Sequence, residues 1–182
     1  MTPPFRTNPR HDSSGFTLVE VTIVTALLIF GLLALTSSTQ ALNALREADS
    51  EQKAAQNAIE SVARSLIGTC NSLRDQTEPW VVEVMTQFGP NGAIQPEFDV
   101  DGLVPWAPDE SVGTVRVITD ETMTDDELGV VLGMPQDMDG DGFISSSDVS
   151  QTASLLAFVI EIRWRGPGGR RELVQGVYVS EY

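Results

Sequence analysis

The strongest pattern in the sequence is a long apolar run near the N-terminus. After the polar residues 1–15, residues 16–45 consist mostly of Val, Leu, Ile, Ala, Phe and small polar residues, and the first basic residue after Phe16 is Arg46. About 20 apolar residues are enough to cross a hydrocarbon core as a helix. The run therefore predicts a transmembrane helix, within which Glu20 is an acid that needs a partner in lipid.

Beyond residue 45 the apolar positions take up helical spacing. Through residues 46–68 they recur at steps of three, four or seven, and the first proline after Pro9 is Pro79. This pattern predicts an amphipathic continuation of the same helix, with Gly68 as its stop and Glu60 four residues before its ion-pair partner Arg64. Counted from the end of the apolar run, these positions are Leu42, Leu45, Ala48, Ala55, Ile59, Val62 and Leu66.

The rest of the chain has the period-two alternation of β-strands. It predicts strands over residues 80–88, 114–119 and 158–164, and a fourth over residues 173–179 that the Gly-Pro-Gly-Gly turn at 166–169 joins to the third as a hairpin. A long helix laid on an antiparallel sheet is the two-layer solution that this order of elements favours. The predicted fold class is α+β, a transmembrane and amphipathic N-terminal helix packed on a β-sheet head.

Composition narrows the possible functions. The formal net charge is −15, which argues against a nucleic-acid partner, since phosphate binding needs clustered Lys and Arg. Cys70 is the single cysteine, so no intrachain disulfide forms, and it is predicted to be a buried small hydrophobe. His11 is the single histidine, and no nucleophile motif is present. We therefore predict that the protein is not an enzyme.

The segment Gly15-Phe16-Thr17-Leu18-Val19-Glu20-Val21, after a polar leader that carries Arg6, Arg10 and His11, resembles the N-terminal processing motif of type IV pilins and of type II secretion pseudopilins. The resemblance implies that a prepilin peptidase cuts between Gly15 and Phe16 and methylates the new amine of Phe16. It also implies that Glu20, fifth in the mature chain, pairs with the N-terminal amine of a neighbouring subunit. Independently of the resemblance, a carboxylate left unmatched in lipid favours association with such an amine.

This resemblance implies a division of the chain and a location. Residues 1–15 are the leader, residues 16–45 the transmembrane and polymerisation helix, residues 46–68 its amphipathic continuation and residues 69–182 an exported head. Arginines before the apolar run place the leader in the cytoplasm. The expected partners are other pilin or pseudopilin subunits, the peptidase and the inner-membrane assembly platform, first in the inner membrane and then in a periplasmic or surface filament. Ser37 stands where many pilins have a kinking proline, which favours a minor subunit.

A second motif lies between residues 137 and 148. Its acids, its glycine at position six and its apolar residue at position eight have the spacing of an EF-hand or dockerin-like calcium loop. An ordinary solvated acidic turn is the alternative. Residues 97–148 carry 14 acids against one arginine, so a cation would relieve their repulsion. The predicted Ca²⁺ ligands are the side chains of Asp137, Asp139 and Asp141, the carbonyl of Phe143, Ser145 through water, and Asp148 as the closing carboxylate.

Two alternatives to a filament subunit remain open at this stage. One is a membrane-anchored, calcium-dependent binding module or adhesin that never polymerises, and the other is an anchored hydrolase with paired carboxylates. The basic cluster near the predicted hairpin turn is either a solvated strand face or a contact with an acidic neighbour or DNA. Its members are Arg163, Arg165, Arg170 and Arg171.

Overall fold

The computed structural model describes residues 17–74, 78–145 and 148–182. The chain forms two compact units, Met1–Asn43 and Ala44–Tyr182. The predicted leader and cleavage site lie outside the described residues.

Helix α1 spans Leu18–Ser72 and belongs to both units. The prediction of one helix from the apolar run into an amphipathic continuation is confirmed. The predicted stop at Gly68 is wrong by four residues, because Leu66 and Cys70 are both buried on the same face and the helix must continue to bring the second into the core. A glycine inside a helix costs only about 1 kcal/mol relative to alanine.

The sheet has four antiparallel strands in the order β1-β2-β3-β4. The predicted strands β2, β3 and β4 are confirmed with small shifts of their ends, and β1 is a two-residue strand that the sequence pattern did not indicate. The strands are β1 Glu97–Phe98, β2 Gly113–Ile118, β3 Leu155–Gly166 and β4 Gly169–Ser180.

The hairpin of β3 and β4 closes as the sequence predicts. Gly166 is the register partner of Gly169, so the connecting loop contains only two residues. Gly169 has φ 110°, in the left-handed region that side chains disfavour. The turn therefore requires glycine at this position.

The strand predicted over residues 80–88 is wrong, because this segment forms helix α2, Trp80–Phe88. Trp80, Val81 and Val84 are buried, and their spacing also fits one face of a helix. The carbonyl of Pro79, the N-cap residue, accepts the first hydrogen bonds of the helix. Burial of this face outweighs the β propensity of its valines.

The core of the head lies between α1 and the sheet. Residues near the end of α1, such as Leu66 and Cys70, pack with Leu156 and Phe158 at the start of β3. Residues further back in α1 pack with the later part of β3. Strand β3 therefore runs antiparallel to α1. This second cluster contains Ala55, Ile59, Ala63, Ile160, Ile162 and Trp164.

The connection between β2 and β3 folds back onto the sheet. It contains the single-turn helix α3, Asp125–Leu128, which a capping box of Thr124 and Glu127 begins. Leu132 packs so closely on Gly176 of β4 that a side chain at Gly176 would collide with it. This connection also carries the predicted calcium loop, which is thus anchored to the core of the head.

Candidate metal centre and membrane segment

Three carboxylates meet at the start of the predicted calcium loop. One carboxylate oxygen from each of Glu121, Asp137 and Asp139 lies within 4.8 Å of the other two. Asp137 and Asp139 are two of the predicted ligands, whereas Glu121 was not predicted. These three side chains are able to hold a metal ion.

Backbone hydrogen bonds fix the two aspartates. Asp137 accepts from the N–H of Gly140 at 2.7 Å and of Gly142 at 2.9 Å, so the loop wraps around its carboxylate. Gly142, at position six of the motif, has φ 87°, the sharp turn for which this loop type needs glycine. Asp139 accepts from Asp141 N–H at 3.1 Å and from the Thr152 hydroxyl at 3.3 Å.

Glu121 reaches the loop from the turn that follows β2. Its side chain is 1% exposed, and one carboxylate oxygen accepts from Met138 N–H at 2.6 Å and from Asp139 N–H at 3.2 Å. The other oxygen accepts from Ser145 N–H at 3.2 Å. A buried carboxylate is costly unless it is hydrogen-bonded or paired with a cation. Glu121 thus links both ends of the loop and adds a negative charge beneath it.

The other predicted ligands lie outside this carboxylate triad. Asp141 uses one oxygen to accept from Phe143 N–H at 2.7 Å. The side chain of Phe143 is exposed, while its carbonyl remains a predicted ligand. Ser145 contacts Glu121 through its backbone. Asp148 is exposed, forms a β-bridge with Asp120 and accepts from Ser150 N–H at 3.0 Å.

Hydrogen bonds also lower the pKa of acids around the loop. The hydrogen bond from the backbone N–H of Ser150 is the main cause of the lowered pKa of Asp148. The hydroxyl of Thr122 has the same effect on the pKa of Asp120. Both carboxyls therefore stay ionised to lower pH than usual and add to the negative field around the triad. An all-carboxylate donor set suits hard cations such as Ca²⁺, Mg²⁺ or Mn²⁺.

The N-terminal part of α1 presents an exposed apolar surface. In the described residues, no other element covers the most apolar part of this helix, which is 0% buried. Its large apolar side chains between Leu18 and Leu45 are 51% to 82% exposed. By length and composition this part of α1 is a candidate membrane span.

Glu20 lies in the first turn of α1 and bonds to the residue that precedes the helix. Its carboxylate accepts from the backbone N–H and the hydroxyl of Thr17, each at 3.2 Å, and the Thr17 hydroxyl accepts from Glu20 N–H at 3.3 Å. Both contacts use the same carboxylate oxygen. The other oxygen is available for a further donor.

Together these features define an α+β protein with one candidate membrane-spanning helix and a carboxylate triad able to hold a metal ion. Comparison with protein-family models, with curated proteins and with solved structures gives no match. The function is therefore inferred from the residues of this chain alone.

Proposed function

We propose that the protein is a structural subunit of a type IV pilus or of a type II secretion-like filament, a minor pilin or pseudopilin. The observation that carries this proposal is Glu20, an acid in the first turn of an exposed apolar helix, directly after the Gly15-Phe16 processing motif. Neither an ordinary membrane anchor nor a buried core helix needs an acid at this position.

The exposed apolar surface of α1 supports the proposal. Burial of apolar surface contributes about 25 cal/mol per Å², so a helix of this kind is stable only in lipid or beside other helices. A filament subunit meets both of these environments in turn. Its helix lies first in the lipid of the membrane and then beside other copies of the same helix in the filament core.

Glu20 makes this association specific, because its carboxylate can pair with the N-terminal amine of a neighbouring subunit. Cleavage after Gly15 would give Phe16 a cationic amine, and an amine and a carboxylate attract strongly where water is excluded. Because Thr17 engages one oxygen of Glu20, the other can accept the amine of a neighbouring subunit. An unmatched Glu20 thereby favours the addition of the next subunit.

We also propose that the head binds Ca²⁺ at Glu121, Asp137 and Asp139. Calcium takes six to eight oxygen ligands in flexible geometry. The Phe143 carbonyl, Asp141 and water would complete such a set. In a head outside the cytoplasm the ion has a structural role, because it neutralises the triad and fixes the loop against the core.

N-terminal sequencing of the protein purified from membranes tests the proposal. We expect the mature chain to begin at N-methylated Phe16.

Gly15→Asp should block cleavage and leave the full-length precursor, because the small residue before the cut is lost. Glu20→Gln should leave cleavage intact but strongly reduce incorporation into filaments, because the neutral amide cannot neutralise the amine.

Glu47→Gln is the matched control, since it neutralises an acid of the same helix beyond the apolar run. It should be cleaved and incorporated like the wild type. An intact Met1 in the native protein, or normal incorporation of the Glu20→Gln variant, would contradict the filament proposal. An intact Met1 would instead support a membrane-anchored binding module that does not polymerise.

A further inference from the structure

The positive charge of the head is concentrated at one end of the β3-β4 hairpin. Residues 69–182 contain six arginines and no lysine, and four of the six arginines lie within residues 163–171. This concentration occurs in a chain whose net charge is −15. We define the basic tip as Arg165, Arg170 and Arg171 together with Trp106.

The arginines of the basic tip form no salt bridge within the described residues. Arg165 and Arg170 are direct register partners on neighbouring strands, a placement at which like charges destabilise a sheet. Among the described residues, no carboxylate lies within 4.0 Å of the guanidinium groups of Arg165, Arg170 or Arg171. The tip therefore keeps a local repulsion that an external anion would relieve.

Neighbouring Arg163 provides an internal contrast. It lies on the same strand face as Arg165, but it is paired with Glu161 and lies 3.9 Å from Glu172. Its charge is compensated within the head, as is usual for an arginine on a sheet. Within the part of the chain that the structure describes, the three arginines of the basic tip form no such ion pair, and the carboxylate at this end of the hairpin is that of Glu51, beside Gly166.

Trp106 contacts this end of the hairpin, including Arg163, whose guanidinium lies 5.3 Å from its ring centroid. Its indole N–H is shared between the carbonyl oxygens of Trp164 at 2.9 Å and Arg171 at 3.2 Å, and the Arg170 guanidinium lies 5.1 Å from its ring centroid. Arg165 donates to the Trp106 carbonyl at 2.7 Å. Nearby Val104 is 59% exposed, so the tip combines cations, an indole and an apolar side chain. Tryptophan and arginine are typical of the membrane-water interface.

Within the unit Ala44–Tyr182, the basic tip lies toward Leu45 of α1. Trp164 of β3 donates from its indole to the Glu51 carboxylate of α1 at 3.2 Å. Glu51 comes six positions after Leu45, about 9 Å along a helix. Since β3 runs antiparallel to α1, the three residues from Trp164 to Pro167 extend about 10 Å further in the direction of Leu45.

We propose that the basic tip binds the anionic phospholipid headgroups of the membrane that α1 enters. Arginine matches phosphate in a bidentate way, and juxtamembrane basic residues are attracted to anionic lipid surfaces. The proposal rests on the membrane location of α1, which belongs to the proposed function, but not on cleavage or polymerisation. It gives the head a second attachment to the membrane before assembly.

A fluorescent label at the tip tests the proposal. The full-length chain carrying Gly168→Cys is labelled and inserted, one copy per disc, into phosphatidylcholine nanodiscs with or without phosphatidylglycerol. Each disc contains a headgroup-attached nitroxide that quenches nearby fluorophores. A Cβ at Gly168 would lie 3.5 Å from the Arg171 guanidinium, an ordinary van der Waals distance, so the label reports directly on the basic tip. Cys70 is fully buried, and burial raises its pKa to about 11, so it should not compete for the label.

We expect strong quenching in phosphatidylglycerol discs, and weaker quenching at high salt or without the anionic lipid. Arg165→Gln, Arg170→Gln and Arg171→Gln together should abolish the difference, because each arginine changes the docked-to-undocked ratio by about fivefold. The matched control neutralises Arg64, Arg74 and Arg116 instead and should behave as the wild type. A label at Glu181→Cys, at the opposite end of β4, should report no quenching.

Equal quenching with and without phosphatidylglycerol, or equal loss in both triple variants, would overturn the proposal. So would quenching that appears only with two copies per disc, since the partner would then be the acidic surface of another copy. A chain that does not insert into discs at all would refute the membrane location itself. Failure of cleavage or of filament incorporation in cells would leave the nanodisc result unchanged, so the two proposals fail separately.

Discussion

At the residue scale, the metal centre depends most on Glu121. It is almost completely buried, yet it shares the loop with Asp137 and Asp139. Its three backbone donors stabilise the carboxylate without neutralising it. A bound cation would supply this neutralisation, so Glu121 and the ion should depend on each other.

Substitution of single carboxylates tests whether Glu121 or Asp148 is the ligand that completes the metal centre. Calcium at about 100 times its dissociation constant stabilises a protein by about 2.7 kcal/mol. For a domain of this size, that raises the melting temperature by about 5–10 °C. We expect Glu121→Gln to remove most of this rise, because it deletes a charge from the triad. Asp148→Asn should retain most of it. Thermal unfolding of the full-length chain in detergent, in calcium and in chelator, measures both.

The matched control is Asp126→Asn, an exposed acid of α3 outside the triad, which should keep the full calcium shift. If Asp148→Asn lost the shift and Glu121→Gln kept it, the closing ligand would be the one predicted from the motif. Equal melting temperatures of the wild type in calcium and in chelator would contradict the proposal that the head binds Ca²⁺.

The sequence predicted only the local part of this centre. Asp137, Asp139 and the glycine at position six are recognisable because one short loop contains them all. Glu121 stands 17 residues before its hydrogen-bond donor Met138, and its approach depends on the path of the chain between them. A motif describes spacing within a loop, not a side chain that arrives from another segment.

At the scale of elements, long patterns were more reliable than short ones. The apolar and amphipathic run of α1 and the long arms of the β3-β4 hairpin were predicted because they extend over many periods. The nine residues of α2 satisfy both a period of two and one face of a helix, so packing decided between them. Packing also decided where α1 ends. The helix continues past Gly68 because the free energy gained by burying Cys70 exceeds the cost of a glycine within the helix.

The packing of α1 on the sheet predicts a position-dependent loss of stability. Ile59 is 2% exposed and lies among residues of β3, so Ile59→Ala should lower the free energy of unfolding by about 2–5 kcal/mol. Ile67 on the same helix is 38% exposed, and Ile67→Ala should cost less than about 1 kcal/mol. Denaturant unfolding of both variants in detergent gives the comparison. Equal losses would contradict the packed face described here.

At the scale of the whole molecule, the distribution of acids should make stability sensitive to low pH. Asp125 accepts hydrogen bonds from three backbone N–H groups, those of Met134, Gly133 and Leu132, and these lower its pKa below the usual range of an aspartate. The Thr124 backbone and hydroxyl likewise lower the pKa of Glu127. Groups with a depressed folded-state pKa stabilise the fold above the unfolded pKa and lose that effect as pH falls through the folded value.

We therefore expect the melting temperature to fall as the pH is lowered below about 4. Asp125→Asn should already be less stable at neutral pH, because an amide offers one acceptor oxygen to three donors. It should show a smaller further loss in acid, since the titrating group is gone. The matched control Asp109→Asn, an exposed acid outside this network, should follow the wild-type profile. An Asp125→Asn profile parallel to that of the wild type would contradict this assignment.

The continuity of α1 has a mechanical consequence. The helix that carries the exposed apolar side chains also supplies Ala55, Ile59 and Leu66 to the interior of the head. Tension applied to its first turns would be transmitted along the backbone to these side chains and would load their contacts with β3 in shear. Because many contacts resist shear together, whereas peeling breaks them one after another, a pull on the N-terminal end would meet the collective resistance of the interior.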